Sequence, residues 1–387
     1  MLMKAFTRHR TDFQLFSELG EFRCGNIPVI KGSLQGRLDV AGVSVLGEIP
    51  GNNDEAAIAP LLQTGKFHGV RVLSNRFVPL RRAAFHFNQR VLRYNSCMSN
   101  HFEKPDHARE DWTIDQGWSS YSDEEHAVWD LLYKRQMDVL PGRAAPEFLD
   151  GLKALDLGRG GIPEFETMSD ELESLTGWRV VAVPGLVPDE VFFDHLANRR
   201  FPAGQFIRKR EELDYLQEPD VFHDVFGHVP MLTNPVFADY MEAYGKGGLR
   251  SLNYAALKNL ASLYWYTVEF GLIRSGEGLR IYGAGIVSSK SESIFALEDP
   301  SPNRVGFDLE RLMKTDYRID DFQQTYFVID SYDQLFRATV DTDFAPIYER
   351  LQGEFAYTPE DILADDEVIA KGTQAYAKAG GRFAEAG

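Results

Sequence analysis

Two histidines five residues apart, His223 and His228, sit in the run Pro219-Asp220-Val221-Phe222-His223-Asp224-Val225-Phe226-Gly227-His228-Val229-Pro230. An α-helix turns about 100° per residue, so an i, i+5 pair lies about 140° apart on an ideal helix. Such a pair cannot face one metal ion unless the helix ends or loosens between its members. The sequence offers a break, because Gly227 tolerates left-handed backbone and Pro230 disfavours a helical Val229. The spacing therefore predicts that His223 is helical and that His228 lies at or just past the helix end, its ring swung back. This is a metal-ligand arrangement distinct from the i, i+4 His-Glu-x-x-His of a zinc protease. Two histidines satisfied by hydrogen bonds at a helix end are the simpler alternative.

A third candidate ligand, Glu269, lies in Leu263-Tyr264-Trp265-Tyr266-Thr267-Val268-Glu269-Phe270-Gly271. A carboxylate inside so apolar a run pays a heavy desolvation penalty unless it is paired, protonated or bound to a metal. A buried salt bridge to an arginine is the competing reading. Two histidines and one carboxylate make the facial triad of non-haem Fe(II) oxygenases, which leaves positions open for O2 and substrate.

These two runs, with Tyr282-Gly283-Ala284-Gly285-Ile286-Val287-Ser288-Ser289, resemble the pterin-dependent aromatic amino acid hydroxylases, and among them the bacterial members acting on phenylalanine. The resemblance covers roughly residues 105–345. It implies hydroxylation of L-phenylalanine to L-tyrosine with O2 and tetrahydrobiopterin at a mononuclear Fe(II) held by His223, His228 and Glu269. It places Arg208 on the substrate carboxylate, fifteen positions before His223, and Trp265 and Phe270 beside the substrate ring. By the same resemblance Gly285, Ser288 and Ser289 would line the amino-acid end, with Glu292 behind them. Gly185, Val187, Asp189, Phe192, Asp224, Ala261 and Tyr264 fall at the pterin, with Phe192 stacking on it and Asp224 where animal relatives have Glu. The residues alone favour a surface ion pair for Arg208 and core packing for the aromatics, and the two serines read equally as turn residues. Hydroxylation of tyrosine or tryptophan is the alternative within the family. A zinc hydrolase with Asp224 as base, and a metal-stabilised interaction protein, are the alternatives outside it.

The whole chain sets wider limits. Its 387 residues are 44% hydrophobic and 26% charged, an ordinary globular balance. A net charge of -17 argues against nucleic-acid or anionic-membrane partners. No apolar stretch reaches membrane-span length, and the start lacks the apolar core of a secretory signal. The two cysteines, Cys24 and Cys97, imply no disulfide framework and fit a reducing cytoplasm. No C-terminal heptad pattern is present, so a monomer is expected.

Residues 1–97 stand apart, with 13 Lys plus Arg against 7 Asp plus Glu, or +6, which leaves -23 for the remainder. This segment reads as an extension with little fixed structure, or as translated sequence upstream of a true start at Met98. A regulatory module is the functional alternative. Short strands are expected at 43–46 and 70–73, and a basic helix at 81–90. The catalytic domain is expected over 98–345, followed by a polar helical tail over 346–387.

Within the catalytic part, Ser122-Asp123-Glu124-Glu125 is a capping box opening a helix to Val139. Further helices are expected at 146–157, 163–175, 188–200, 236–244 (closed by Gly245), 253–274, 290–296, 307–313, 332–339 and 359–379. Strands are expected at 178–183, 205–208, 279–282 and 326–329. Helices dominate, so the fold class is mostly α with a little β, an α+β single catalytic domain.

Overall fold

The Ser122 hydroxyl accepts the Glu125 amide N–H at 3.3 Å, and the Glu125 carboxylate accepts the Ser122 amide N–H at 2.8 Å. This reciprocal cap starts the helix Asp123–Met137, as the sequence predicts. The structure is a computed structural model. It describes residues 104–381 apart from 215–218, 255 and 320, together with the backbone of four strands nearer the N-terminus. The chain divides into two compact units, residues 5–102 and residues 103–387, and each is described by itself.

In the first unit, β1 (Val29–Ile30), β2 (Ser33–Val40), β3 (Val43–Pro50) and β4 (Arg71–Leu73) pair in sequence order as an antiparallel sheet. Both expected strands fall within or on it. The basic helix expected at 81–90, and both cysteines, lie outside the described residues.

In the second unit, helices surround two small sheets. Strands β5 (Arg179–Val183) and β6 (Arg200–Gly204) pair in parallel, Arg179 with Arg200 through Val183 with Gly204. Parallel neighbours need a crossover, and the helix Asp189–Ala197 supplies it. The second sheet runs β11-β9-β10-β7-β8, comprising β7 (Leu272–Ser275), β8 (Gly278–Ile281), β9 (Asn303–Gly306), β10 (Thr325–Ile329) and β11 (Val368–Ala370). Its centre, β9-β10-β7, is parallel, and β8 and β11 close the edges antiparallel. Strand β10 is buried along its whole length, the pattern of a central strand covered on both faces. No helix among the described residues is long and apolar enough to cross a membrane.

Several expected elements are corrected. The strand expected at 205–208 is instead β6, five residues earlier, because pairing with β5 outweighs the poor strand propensity of Arg-Phe-Pro-Ala-Gly. The helix expected to close at Gly245 runs on as Pro235–Ser251. A Cβ on Gly245 would lie 2.4 Å from the backbone nitrogen of Ala197, so the glycine admits a close neighbouring helix and terminates nothing. The helix expected over 253–274 begins at Leu257 and ends at Glu269, since Leu272 and Ile273 pair with β10. The helical tail expected over 359–379 is mostly irregular. Val368–Ala370 adds a strand to β9, and only Ala375–Lys378 is helical. Buried Arg311 ties this tail down, donating to Asp366 at 2.9 and 3.3 Å and to the Asp361 carbonyl at 2.7 Å, with the Tyr357 ring 4.7 Å from its guanidinium carbon.

Candidate active site

Both ligand-bearing runs fold as π-helical turns, Phe222–His228 and Trp265–Glu269. A turn closed by i→i+5 bonds brings residues five apart to nearly the same side, and such turns recur at functional sites. In the second turn the Phe270 amide N–H donates to the Trp265 carbonyl, five residues back, at 2.8 Å. The helix therefore loosens between the histidines and does not break. Val229 stays right-handed helical at φ -64°, and the chain passes directly into the 3-10 turn Val229–Thr233. Gly227 has no left-handed backbone. Its missing Cβ matters because one would sit 3.0 Å from the Ala284 carbonyl oxygen. The expected swung-back ring past a helix end is thus replaced by a π-turn with His228 as its last residue.

The two Nε2 atoms lie 3.3 Å apart, and Glu269 places Oε1 3.3 Å from His228 Nε2 and Oε2 3.5 Å from His223 Nε2. A metal about 2.1 Å from three mutually perpendicular donors needs them roughly 3 Å apart. His223 Nδ1 is 3.0 Å from Ser288 Oγ, and the Ser288 hydroxyl donates to the Ala284 carbonyl at 2.7 Å. That serine has one proton and has spent it, so it accepts the Nδ1–H, leaving the His223 Nε2 lone pair facing Glu269. Glu269 Oε2 is buried without a hydrogen-bond partner. An orphaned carboxylate oxygen beside a histidine lone pair fits a shared cation, and the donor set suits Fe(II).

Protonation states agree with this. Burial pushes the His223 imidazolium down to about 4, so the ring is neutral near pH 7. Burial works against the Glu269 carboxylate, but His228 and His223 outweigh it and hold the group down to about 2. Neutral imidazole and ionised carboxylate are the metal-binding forms. The bond from Ser288 orients a ligand, and losing such a partner lowers metal affinity about 10–100-fold. Ser288→Ala is expected to weaken iron binding on that scale without unfolding the protein, read by metal titration against thermal midpoint.

The three candidate ligands line a cleft together with Gly185, Val187, Phe192, Asp224, Ala261 and Tyr264, six of the seven positions expected at the pterin. The seventh, Asp189, is not among the lining residues. It opens the crossover helix, where burial raises its carboxyl pKa. Asp224 accepts the Gly204 amide at 2.8 Å, and burial lifts it to about 7. Of the expected substrate residues, Trp265 lines this cleft, and Arg208, Phe270, Gly285, Ser288, Ser289 and Glu292 are not among its lining residues. Phe270 packs on Trp265 at 4.7 Å, and a Cβ on Gly285 would come within 2.8 Å of the Phe270 ring. Ser289 caps the helix Lys290–Glu298 by accepting the Glu292 amide, and Glu292 accepts the Tyr326 hydroxyl at 2.9 Å.

Arg208 is a buried group, not a surface ion pair. Its Nε and Nη2 donate to the two oxygens of fully buried Asp220 at 2.8 Å each, and its amide N–H adds a third bond at 2.9 Å. Asp220 also accepts the His223 amide at 3.1 Å. Sequence reasoning missed Asp220, although an acid three residues before a helical histidine is where such a bond forms. It also missed Phe201, whose ring lies 5.0 Å from the His228 ring.

The sequence pattern of the biopterin-dependent aromatic amino acid hydroxylases matches residues 114–359. Phenylalanine-4-hydroxylase of Caulobacter vibrioides is 68% identical over 282 residues, 73% of this chain and 96% of that protein. The crystal structure of phenylalanine hydroxylase from Chromobacterium violaceum with iron and phenylalanine bound is similar at TM-score 0.65 and 57% identity, over 68% of this chain and 96% of that one. A second structure of that enzyme, holding iron(III) and oxidised 7,8-dihydrobiopterin, gives TM-score 0.65 and 58% identity, over 68% and 94%. With a family match across most of the chain and the donor set in place, this protein belongs to the biopterin-dependent aromatic amino acid hydroxylases.

Proposed function

We propose that this protein is a phenylalanine 4-monooxygenase of L-phenylalanine catabolism, converting L-phenylalanine and O2 to L-tyrosine with tetrahydrobiopterin at Fe(II). The observation that carries the reading is the convergence of His223, His228 and Glu269 in one cleft with Phe192, Tyr264 and Trp265. The high identity to relatives named for this reaction supports the choice of substrate. Iron and reduced pterin supply the activation of O2.

The chain supplies placement. Ser288 keeps the His223 proton at Nδ1, so Nε2 remains a ligand. Asp220 uses Nε and Nη2 of Arg208, which leaves Nη1 and the second Nη2 hydrogen for the substrate carboxylate. Trp265, backed by Phe270, forms the wall for the substrate ring, and Phe192 faces the pterin. These apolar walls exclude water from the reacting centre. The enzyme acts as a monomer in the cytoplasm.

The test is incubation with Fe(II), tetrahydrobiopterin and each aromatic amino acid in turn. Tyrosine is expected from phenylalanine, in step with pterin oxidation. Preferred hydroxylation of tryptophan or tyrosine would reassign the substrate, and pterin-independent hydrolysis with zinc would sink the reading.

The catalytic unit is proposed to begin at Met98, because every site residue lies between Gly185 and Glu292 and the charge balance changes there. A chain starting at Met98 is expected to match the full chain in thermal midpoint and kcat. A shortened chain that is insoluble or iron-free defeats this, and phenylalanine-dependent activation in the full chain alone marks residues 1–97 as regulatory.

A further inference from the structure

Trp265 opens the second π-turn and lines the cleft. Its indole N–H donates to Gln323 Oε1 at 3.0 Å, and the ring is flanked by Phe270 and by Tyr317, both with centroids at 4.7 Å. An indole has one donor and no acceptor, so this bond fixes its orientation within the ring plane. The Gln323 amide cannot be reversed, because Nε2 already donates to the carbonyls of Arg318 at 2.7 Å and Asp321 at 3.3 Å. The Gln323 main chain is held too. Its N–H donates to Glu292 at 3.4 Å, on the same oxygen that accepts the Tyr326 hydroxyl. Gln323 is 1% exposed and is not among the cleft-lining residues. A side chain so placed does nothing to substrate directly, yet it dictates the pose of the aromatic wall.

We propose that Gln323 is a positioning residue: through the Trp265 indole N–H it sets the orientation of the cleft wall, and so the placement of the aromatic substrate ring. The inference rests on the reading of this cleft as an aromatic amino acid site. It assigns a role to a residue at the end of the loop before β10, 58 positions beyond Trp265 in the chain.

A double-mutant cycle in the iron-loaded enzyme tests it. Gln323→Met fills similar space without the acceptor. It is expected to raise the KM for phenylalanine about fivefold to tenfold, the scale of one buried hydrogen bond. The KM for pterin stays within a factor of two, and less tyrosine is formed per pterin oxidised. In the Trp265→Phe background, Gln323→Met is expected to change nothing further, because no indole N–H remains to orient. The metal-free Gln323→Met protein should also show an altered near-ultraviolet circular dichroism band from its tryptophans. Equal factors in both backgrounds, or an unaltered indole band, overturn this proposal alone. An unchanged KM for phenylalanine in Trp265→Phe overturns the reading of the cleft wall, and this proposal with it.

Discussion

His228→Ala is expected to abolish both iron retention and tyrosine formation while leaving the protein folded. The loss should exceed the hundredfold upper range seen when a ligand's outer partner is removed, because here a ligand itself is lost. The physical basis is the π-turn. Only i→i+5 bonding sets His223 and His228 on one side with Nε2 atoms 3.3 Å apart, and Glu269 completes the set from a second such turn. Fold should survive because the apolar side chains of the first turn, Phe222, Val225, Phe226 and Val229, are fully buried and stay in place. Added Fe(II) should raise the thermal midpoint of the parent protein, by binding linkage of about 2.7 kcal/mol at a hundredfold excess over Kd. The same addition should leave the variant unmoved. Metal analysis together with a melting curve with and without Fe(II) reads both. Stoichiometric iron with normal turnover in His228→Ala would show that the triad is not the metal site.

That geometry marks the boundary of what was legible in the chain. The three candidate ligands that the fold brings together were legible as candidates, because histidine, histidine and a carboxylate in an apolar run are few and chemically distinctive. The backbone that unites them was not. Gly227 and Pro230 read as a helix break, yet Gly227 serves the close approach of Ala284, and Pro230 opens a 3-10 turn with Val229 still helical. A π-turn has no propensity signature of its own, since it is set by what packs around it. The βαβ crossover was half legible: β5 is an apolar run, but β6 exists only through its pairing with β5. The tail over 359–379 reads as helical, yet Val368–Ala370 within it becomes a strand for the same reason, a partner far away in sequence. Asp220 was passed over because a lone acid carries no pattern, and its role appears only once Arg208 is beside it.

Arg208→Ala is expected to raise the KM for phenylalanine roughly 10–150-fold, matching the 1.5–3 kcal/mol of a charge-assisted hydrogen bond. The KM for pterin should move far less. The same change should also destabilise the protein, and the two effects have different origins. Burial pushes the Asp220 carboxyl up, but the hydrogen bonds and charge of Arg208 outweigh burial and keep it below the usual carboxylate range. A depressed folded-state pKa contributes stability above the unfolded value near 3.9, and that stability is lost as the pH falls through the folded value. Without Arg208, Asp220 keeps the amide bonds of residue 208 and His223 but no counter-charge. Leaving one member of a buried pair alone costs about 3–5 kcal/mol. Adding Asp220→Asn to Arg208→Ala removes the stranded charge and keeps an oxygen for the His223 amide. The double variant should therefore recover most of the thermal midpoint and none of the phenylalanine affinity. Recovery of both would mean that Arg208 acts on substrate only by holding the fold, and an equal rise in both KM values for Arg208→Ala would mean the same.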